Sequence, residues 1–247
     1  MTSLILGLWL AVLCPGAEGG ERKVRYEELL PHELAAAIKE RPVAYVPYGS
    51  LEWHGRHLPY GVDGLKAHLL CEAAARKYGG VVLPVTYWQR GGASLTGTYH
   101  GAPEGAVEEL FTGVFRWLAS LGFKVIVGVA GHDVPEQLAP LEKAAKAVTV
   151  EGLTYGVATY EFLPGEPWSD HAAAYETSLM MVLRPELVSL DRIKAEELVT
   201  DRGKSAAGIW GEDPRVHASK RKGEADAARL VRGLGTLPDD LLRKVRE

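Results

Sequence analysis

What most constrains the fold of this chain is a regular alternation between short apolar runs and longer amphipathic ones. The short runs cover 43–48, 81–85, 124–130 and 153–160, and the longer ones cover 64–78, 104–121 and 135–148. Parallel strands cannot be joined by a tight turn; each pair needs a crossover of many residues, usually a helix. The alternation therefore predicts an α/β fold with a mostly parallel central sheet covered by helices. The second long run carries Val107, Leu110, Phe111, Val114, Leu118 and Leu121 at spacings of three and four, which gives it one apolar face to lay on that sheet. After 160 a loop over 162–169 leads into a helix from 172 that stops before Pro185. A polar loop over 203–214 and a helix over 219–233 complete the reading.

With 247 residues and 47% hydrophobic content, the chain can bury one substantial core, so 20–247 is read as a single domain. The 28 basic and 32 acidic residues leave a net charge of −4, and no stretch is dominated by Lys or Arg, so nucleic acid is excluded as a partner. Residues 1–19 stand apart. Leu4 to Leu13 is an uninterrupted apolar run followed by Cys14, Pro15 and Gly16, too short to span a bilayer comfortably but long enough for a secretory signal peptide cleaved after Gly19. That reading places the mature chain in the periplasm or outside the cell, without stable membrane association after processing. The alternative, a buried first strand or a misassigned start, leaves it cytoplasmic. Cleavage leaves Cys71 alone, so the exported form has no internal disulfide.

In open α/β sheets ligands bind at the carboxyl ends of the strands, so polar residues just after each strand carry the functional signal. After the first strand the chain reads Gly49-Ser50-Leu51-Glu52-Trp53-His54-Gly55-Arg56-His57-Leu58-Pro59, and Asp63 follows a short loop. Glu, His and Asp supply hard oxygen and borderline nitrogen donors suited to zinc or manganese. Glu52 and His54 point to one face if the segment is extended, since side chains alternate there. The third strand ends at Gly131-His132-Asp133, and Asp170-His171 with Glu176 opens the helix after 172. An acidic residue at a helix start also suits the helix dipole, which accounts for Asp170 better than for Glu176.

Together these segments resemble the creatininase (creatinine amidohydrolase) family, whose members carry a GSxEQHGPHLPxGTD-like block, an NGHGGN-like block and an HAGxxETS-like block. The matching residues are 49–59 with Asp63, then Gly131-His132, then His171-Ala172 with Glu176-Thr177-Ser178; the likeness continues through Gly208-Ile209-Trp210-Gly211 and Lys222-Gly223-Glu224. It covers roughly 40–235 in order, far more than a single motif.

The resemblance implies a three-layer α/β/α sandwich, a small-molecule amide substrate, a homo-oligomer and two divalent ions, zinc or manganese with iron as a further candidate. It implies Glu52, Asp63 and His132 around the first ion, with His54 and Asp63 at the second. Where creatininase has a glutamate two residues after the histidine of the middle block, this chain has Val134, and Glu176 is the expected substitute ligand. Ala130 to Pro135 also lacks the asparagine and two glycines of that block, so creatinine itself is not implied as substrate. His171 is the expected proton carrier, because histidine gains and loses a proton near neutrality. His57 is expected to orient a ligand, and Trp88, Tyr99, Tyr160 and Trp168 to wall the pocket.

The activity expected is metal-dependent hydrolysis of a cyclic or linear amide C–N bond in a small molecule. Two rivals stand beside it. One is a catalytically degenerate member that keeps the fold as a metal- or ligand-binding module. The other is a flavodoxin-like nucleotide binder, a reading that suits the fold pattern but needs a Gly-rich phosphate loop that this chain lacks after the first strand.

Overall fold

Four strands lie parallel in the order β2-β1-β3-β4: β1 (Val43–Tyr48), β2 (Val81–Val82), β3 (Val125–Ala130) and β4 (Tyr155–Tyr160). This computed structural model describes residues 22–89, 96–161 and 170–245. The expected leader and the loop over 162–169, with Trp168, fall outside those residues. Every residue of β1 and β3 is buried, which is why both read as continuous apolar runs rather than as alternating ones.

The helices are α1 (Pro31–Glu40), α2 (Val62–Tyr78), α3 (Ala106–Ser120), α4 (Pro135–Val148), α5 (Ala174–Leu183), α6 (Asp201–Ala207), α7 (Pro214–His217) and α8 (Lys220–Thr236), with a last turn at Asp239–Leu242. They form the two outer layers. On one face Val43, Tyr45, Val125, Val127 and Val129 pack against Leu70, Cys71 and Ala74 of α2 and Leu230, Val231 and Leu234 of α8. On the other, Ala44, Val46, Tyr48 and Ile126 pack against Phe111, Phe115 and Leu118 of α3 and Leu141 and Ala144 of α4. Each fully buried Val, Leu, Ile or Phe among them contributes roughly 1.5–3 kcal/mol. No helix among the described residues is long and apolar enough to cross a membrane.

The expected three-layer α/β/α sandwich is thus present, with local differences that have physical causes. β2 ends at Val82 rather than at 85, because Pro84 brings no N–H to extend the ladder. β4 begins at Tyr155 rather than at 153, since Val150 and Thr154 close a turn by pairing with each other. On α3 the buried stripe is Val107, Phe111, Phe115 and Leu118, while Leu110 and Leu121 are exposed. The stripe takes in Phe115 because spacings of four and three keep it in line with Phe111 and Leu118. Besides two four-residue turns, at Pro214–His217 and Asp239–Leu242, two longer helices among the described residues were not anticipated. α1 begins with Pro31 at its first turn, and the Glu33 carboxylate accepts from Leu30 N at 2.8 Å. α6 lies in part of the stretch expected to be a loop, with Thr200 Oγ1 accepting from Gly203 N at 3.0 Å as its N-cap.

Candidate metal centre

Two glycines bring the ends of β1 and β3 onto the start of α2. A Cβ on Gly49 would lie 2.1 Å from Gly64 N, and one on Gly131 would lie 2.0 Å from Asp63 O. Any side chain at either position would push a strand end away from Asp63, which sits in the first turn of α2. Gly131 N also donates to Tyr48 O at 2.8 Å, so β1 and β3 end in register at this point. Beyond β1 the chain leaves the sheet and is pinned from both sides: Glu52 N donates to Tyr60 O, and Tyr99 N to Leu51 O, each at 2.9 Å.

The fourth contributor is the start of α5. Asp170 caps it, its carboxylate accepting from Tyr175 N at 2.7 Å and Glu176 N at 3.1 Å. The cap and the left-handed backbone of Ala172, with φ of 50°, explain why the helix begins at Ala174 rather than at 172. His171 is tied to the far side of the site by a two-way backbone pairing with Trp210.

These segments gather all six expected site residues. His132 Nδ1 lies 3.0 Å from Glu52 Oε2 and 3.3 Å from Asp63 Oδ2. His54 Nε2 lies 3.1 Å from Asp63 Oδ1 and 3.5 Å from Glu176 Oε2. Asp63 therefore turns one oxygen to each imidazole, between two groups of donors. Among the described residues, three trios bring ligand atoms within 4.8 Å of one another: Glu52, Asp63 and His132; His54, Asp63 and Glu176; and Glu52, His54 and His171. His171 Nε2 stands 3.4 Å from Glu52 Oε2, and its ring stacks on that of His54 with centroids 4.4 Å apart.

The donor atoms are arranged as ligands rather than as ordinary hydrogen-bonding groups. Both Glu52 carboxylate oxygens, His54 Nε2 and His171 Nε2 are buried without a hydrogen-bond partner, despite their close neighbours. Buried polar atoms left in this state are costly unless something else satisfies them. The opposite nitrogens are satisfied. His54 Nδ1–H donates to Glu52 O at 3.0 Å and His171 Nδ1–H to Gly208 O at 2.8 Å, which leaves each Nε2 lone pair facing the centre.

Electrostatics agrees with geometry. Burial alone would raise the Glu52 carboxyl, but the close imidazoles of His132 and His171 hold it at about 2. Burial likewise opposes charge on His54 and His132, yet Asp63 with Glu176 lifts the first to about 9, and Asp63 with Glu52 lifts the second to about 10. Asp63 is held well below the usual carboxylate range, its burial outweighed by His54 and His132. Three buried carboxylates thus force protons onto neighbouring imidazoles when no other cation is present. A divalent ion answers the same demand and displaces those protons.

Other expectations resolve as follows. The His57 Nε2 pairs with Thr177 Oγ1 at 3.0 Å, so His57 is tied to the neighbour of Glu176. Trp88 and Tyr99 meet edge to face at 5.5 Å, with Trp88 58% exposed. Three residues had gone unnoticed. Ser50 Oγ donates to Asp63 Oδ2, and Lys66 Nζ donates to Glu161 Oε1 at 2.7 Å and to Glu176 Oε1. Two signals pointed to the ion pair: Lys66 is three residues after Asp63 on one helix face, and Glu161 directly follows β4.

Fold and site together define the class, an α/β protein with a carboxylate–imidazole centre of metal-binding type at the carboxyl edge of a parallel sheet. The family model described as "Creatininase: Creatinine amidohydrolase" matches residues 27–237. The chain belongs to the creatininase family. It is 28% identical to the creatinine amidohydrolase of Pseudomonas putida in an alignment of 180 residues, with 61% of this chain and 68% of that protein covered. Among solved structures it is similar to creatinine amidohydrolase (creatininase) at 21% identity, covering 89% of this chain and 98% of that one with a TM-score of 0.73. The structure named "Creatininase Mn" aligns at 22% identity over 88% and 98% of the two chains, with a TM-score of 0.71. A creatininase variant described as "Zn-Zn type" gives the same identity, shares and score. At these identities the structures show a shared fold.

Proposed function

We propose that this creatininase-family hydrolase opens the C–N bond of a small-molecule amide with the help of two divalent ions, zinc or manganese. The observation that carries this reading is the pair of trios that meet at Asp63, with buried donor atoms that lack any hydrogen-bond partner. The likeness to Mn and Zn-Zn creatininase structures supports the choice of metal. Glu52, Asp63 and His132 would hold one ion and His54, Asp63 and Glu176 the other, with Asp63 shared. When bound, such ions supply activation of water near neutral pH and polarisation of a carbonyl oxygen.

The chain's own residues supply the rest. His54 is fixed by the Glu52 carbonyl in the tautomer that frees Nε2, so it enters the centre as a neutral donor. His171 is the least buried of the six, its side chain 13% exposed against 0–6% for the other five. Gly208 O holds its Nδ1–H and Trp210 backs the ring at 4.4 Å, so Nε2 is aimed and ready to exchange a proton. In hydrolysis the water oxygen joins the carbonyl carbon, the C–N bond breaks, and the departing nitrogen needs the proton that water gives up. His171 Nε2 is placed to take that proton and deliver it. Val134 bears no ligand atom, and Glu176 stands in its stead.

The test is metal content after native purification and after reloading with zinc or manganese, followed by turnover on a panel of cyclic amides and formamides. Stoichiometric ions with release of product support the reading. A chain that binds no stoichiometric ion refutes the centre; one that holds ions and ligands but releases no product refutes the hydrolase.

A further inference from the structure

Lys66 belongs to neither trio, yet it is fully buried one turn beyond Asp63 on α2. Its ammonium joins three elements, because it donates to Glu161 Oε1 at 2.7 Å at the end of β4 and to Glu176 Oε1 in the first turn of α5. Glu161 is itself fully buried. Replacing such buried ion pairs with apolar side chains is often neutral or stabilising. Folding stability alone therefore gives no reason for a lysine and a second carboxylate at this depth.

The geometry at Glu176 gives one. Its two oxygens have separate duties: Oε1 accepts from Lys66, while Oε2 accepts from Ala172 N at 2.5 Å and faces His54 Nε2 at 3.5 Å. With Oε1 taken, the plane of the carboxylate is fixed and Oε2 alone is turned toward His54 and Asp63. Glu161 matters for charge. An uncompensated ammonium so close to a divalent ion would repel it, and the Glu161 carboxyl, which accepts from the same Nζ at 2.7 Å, offsets that charge.

We propose that Lys66, balanced by Glu161, is a positioning residue for the second ion, locking Glu176 through Oε1 so that only Oε2 serves as ligand. This rests on the reading that His54, Asp63 and Glu176 hold an ion. It also accounts for how a glutamate on α5 can replace the ligand missing at Val134: its side chain is held in place from α2, not only from its own helix.

The test is Lys66→Met combined with Glu161→Gln, which removes one positive and one negative charge and leaves the net charge of the centre unchanged. Zn²⁺ or Mn²⁺ is titrated calorimetrically into the metal-free full chain and fitted to two sites, and the melting temperature of the metal-free protein is recorded alongside. The second-ion dissociation constant is expected to rise about 10–100-fold, the usual effect of losing an outer partner of a metal ligand. The first-ion constant should rise by a smaller factor, because the hydrogen bonds of Lys66 go to Glu161 and Glu176 and the link between the two ions is the shared Asp63. Unchanged constants overturn the proposal, and so does a drop in metal-free melting temperature with both constants shifted together, the signature of a merely structural pair. If that variant fails to fold, Lys66→Gln with Glu161→Gln keeps neutral hydrogen-bonding groups in the same space and is read the same way. The unaltered chain separates the two ideas. Two ions in it, with equal constants in the variant, overturn the role of Lys66 alone; no second ion overturns the metal reading and this inference with it.

Discussion

Replacing His171 with asparagine separates proton transfer from ion binding. The native ring makes one hydrogen bond, Nδ1–H to Gly208 O at 2.8 Å, worth about 0.5–1.5 kcal/mol net. Its contacts with the rings of His54 and Trp210, both at 4.4 Å, add about 0.5–1.5 kcal/mol. The fold should therefore lose about 1–3 kcal/mol, or roughly 2–4 °C of melting temperature for each kcal/mol in a chain of this size. Turnover should fall much further, by about 10²–10⁴-fold, which is ~3–5 kcal/mol of barrier. Ion content should stay near two, since neither trio that contains Asp63 includes His171. Glu176→Gln should behave in the opposite way: the second ion binds more weakly, and excess ion restores part of the activity. The assay is metal analysis of both variants beside steady-state turnover with and without added ion. Loss of an ion from His171→Asn, with both ions kept but turnover lost in Glu176→Gln, would show that the two roles are exchanged and that the third trio, Glu52, His54 and His171, holds a metal.

Three further outcomes are expected. Asp63→Asn keeps the volume but removes the charge that faces His54 and His132 together, so metal analysis should show loss of at least the second ion with the helical circular dichroism preserved; two retained ions and full turnover would end its bridging role. Reloading the metal-free chain with ion at a hundred times its dissociation constant should stabilise it by about 2.7 kcal/mol per site, raising the melting temperature by roughly 5–11 °C, and an unchanged melt would count against a native-state site. The metal-free protein should also lose stability as pH rises. His54 and His132 sit at about 9 and about 10 when folded against 6.5 ordinarily, so their contribution is complete below 6.5 and fades as pH climbs through 9 to 10. Metal-loaded protein needs those imidazoles neutral, so it should lack this decline, and calorimetry in buffers of different ionisation heat should show proton release on ion binding at pH 7–8.

Much of this molecule could be read from the chain alone, and the reason is periodicity. β1 and α4 fall at the residues where the apolar run of 43–48 and the amphipathic run of 135–148 begin and end, because β1 is buried throughout and α4 keeps one face on the core. Glu52, His54, Asp63, His132, His171 and Glu176 were visible because ordered, closely spaced blocks carried them and because strand ends are where such sheets gather polar groups. Local signals misled where a single residue overrode the pattern, as Pro84 does for β2 and the left-handed Ala172 for the start of α5. What only the tertiary structure decided is which of these donors face one another. The split of Asp63's two oxygens between His54 and His132 depends on how closely Gly49 and Gly131 let two strands approach α2. The Lys66–Glu161–Glu176 trio spans 110 residues of chain, and no periodicity relates its members. Nothing in the local sequence pairs Lys66 or Glu161 with Glu176, and only the packing of α2, β4 and α5 removes the water that would have kept them apart.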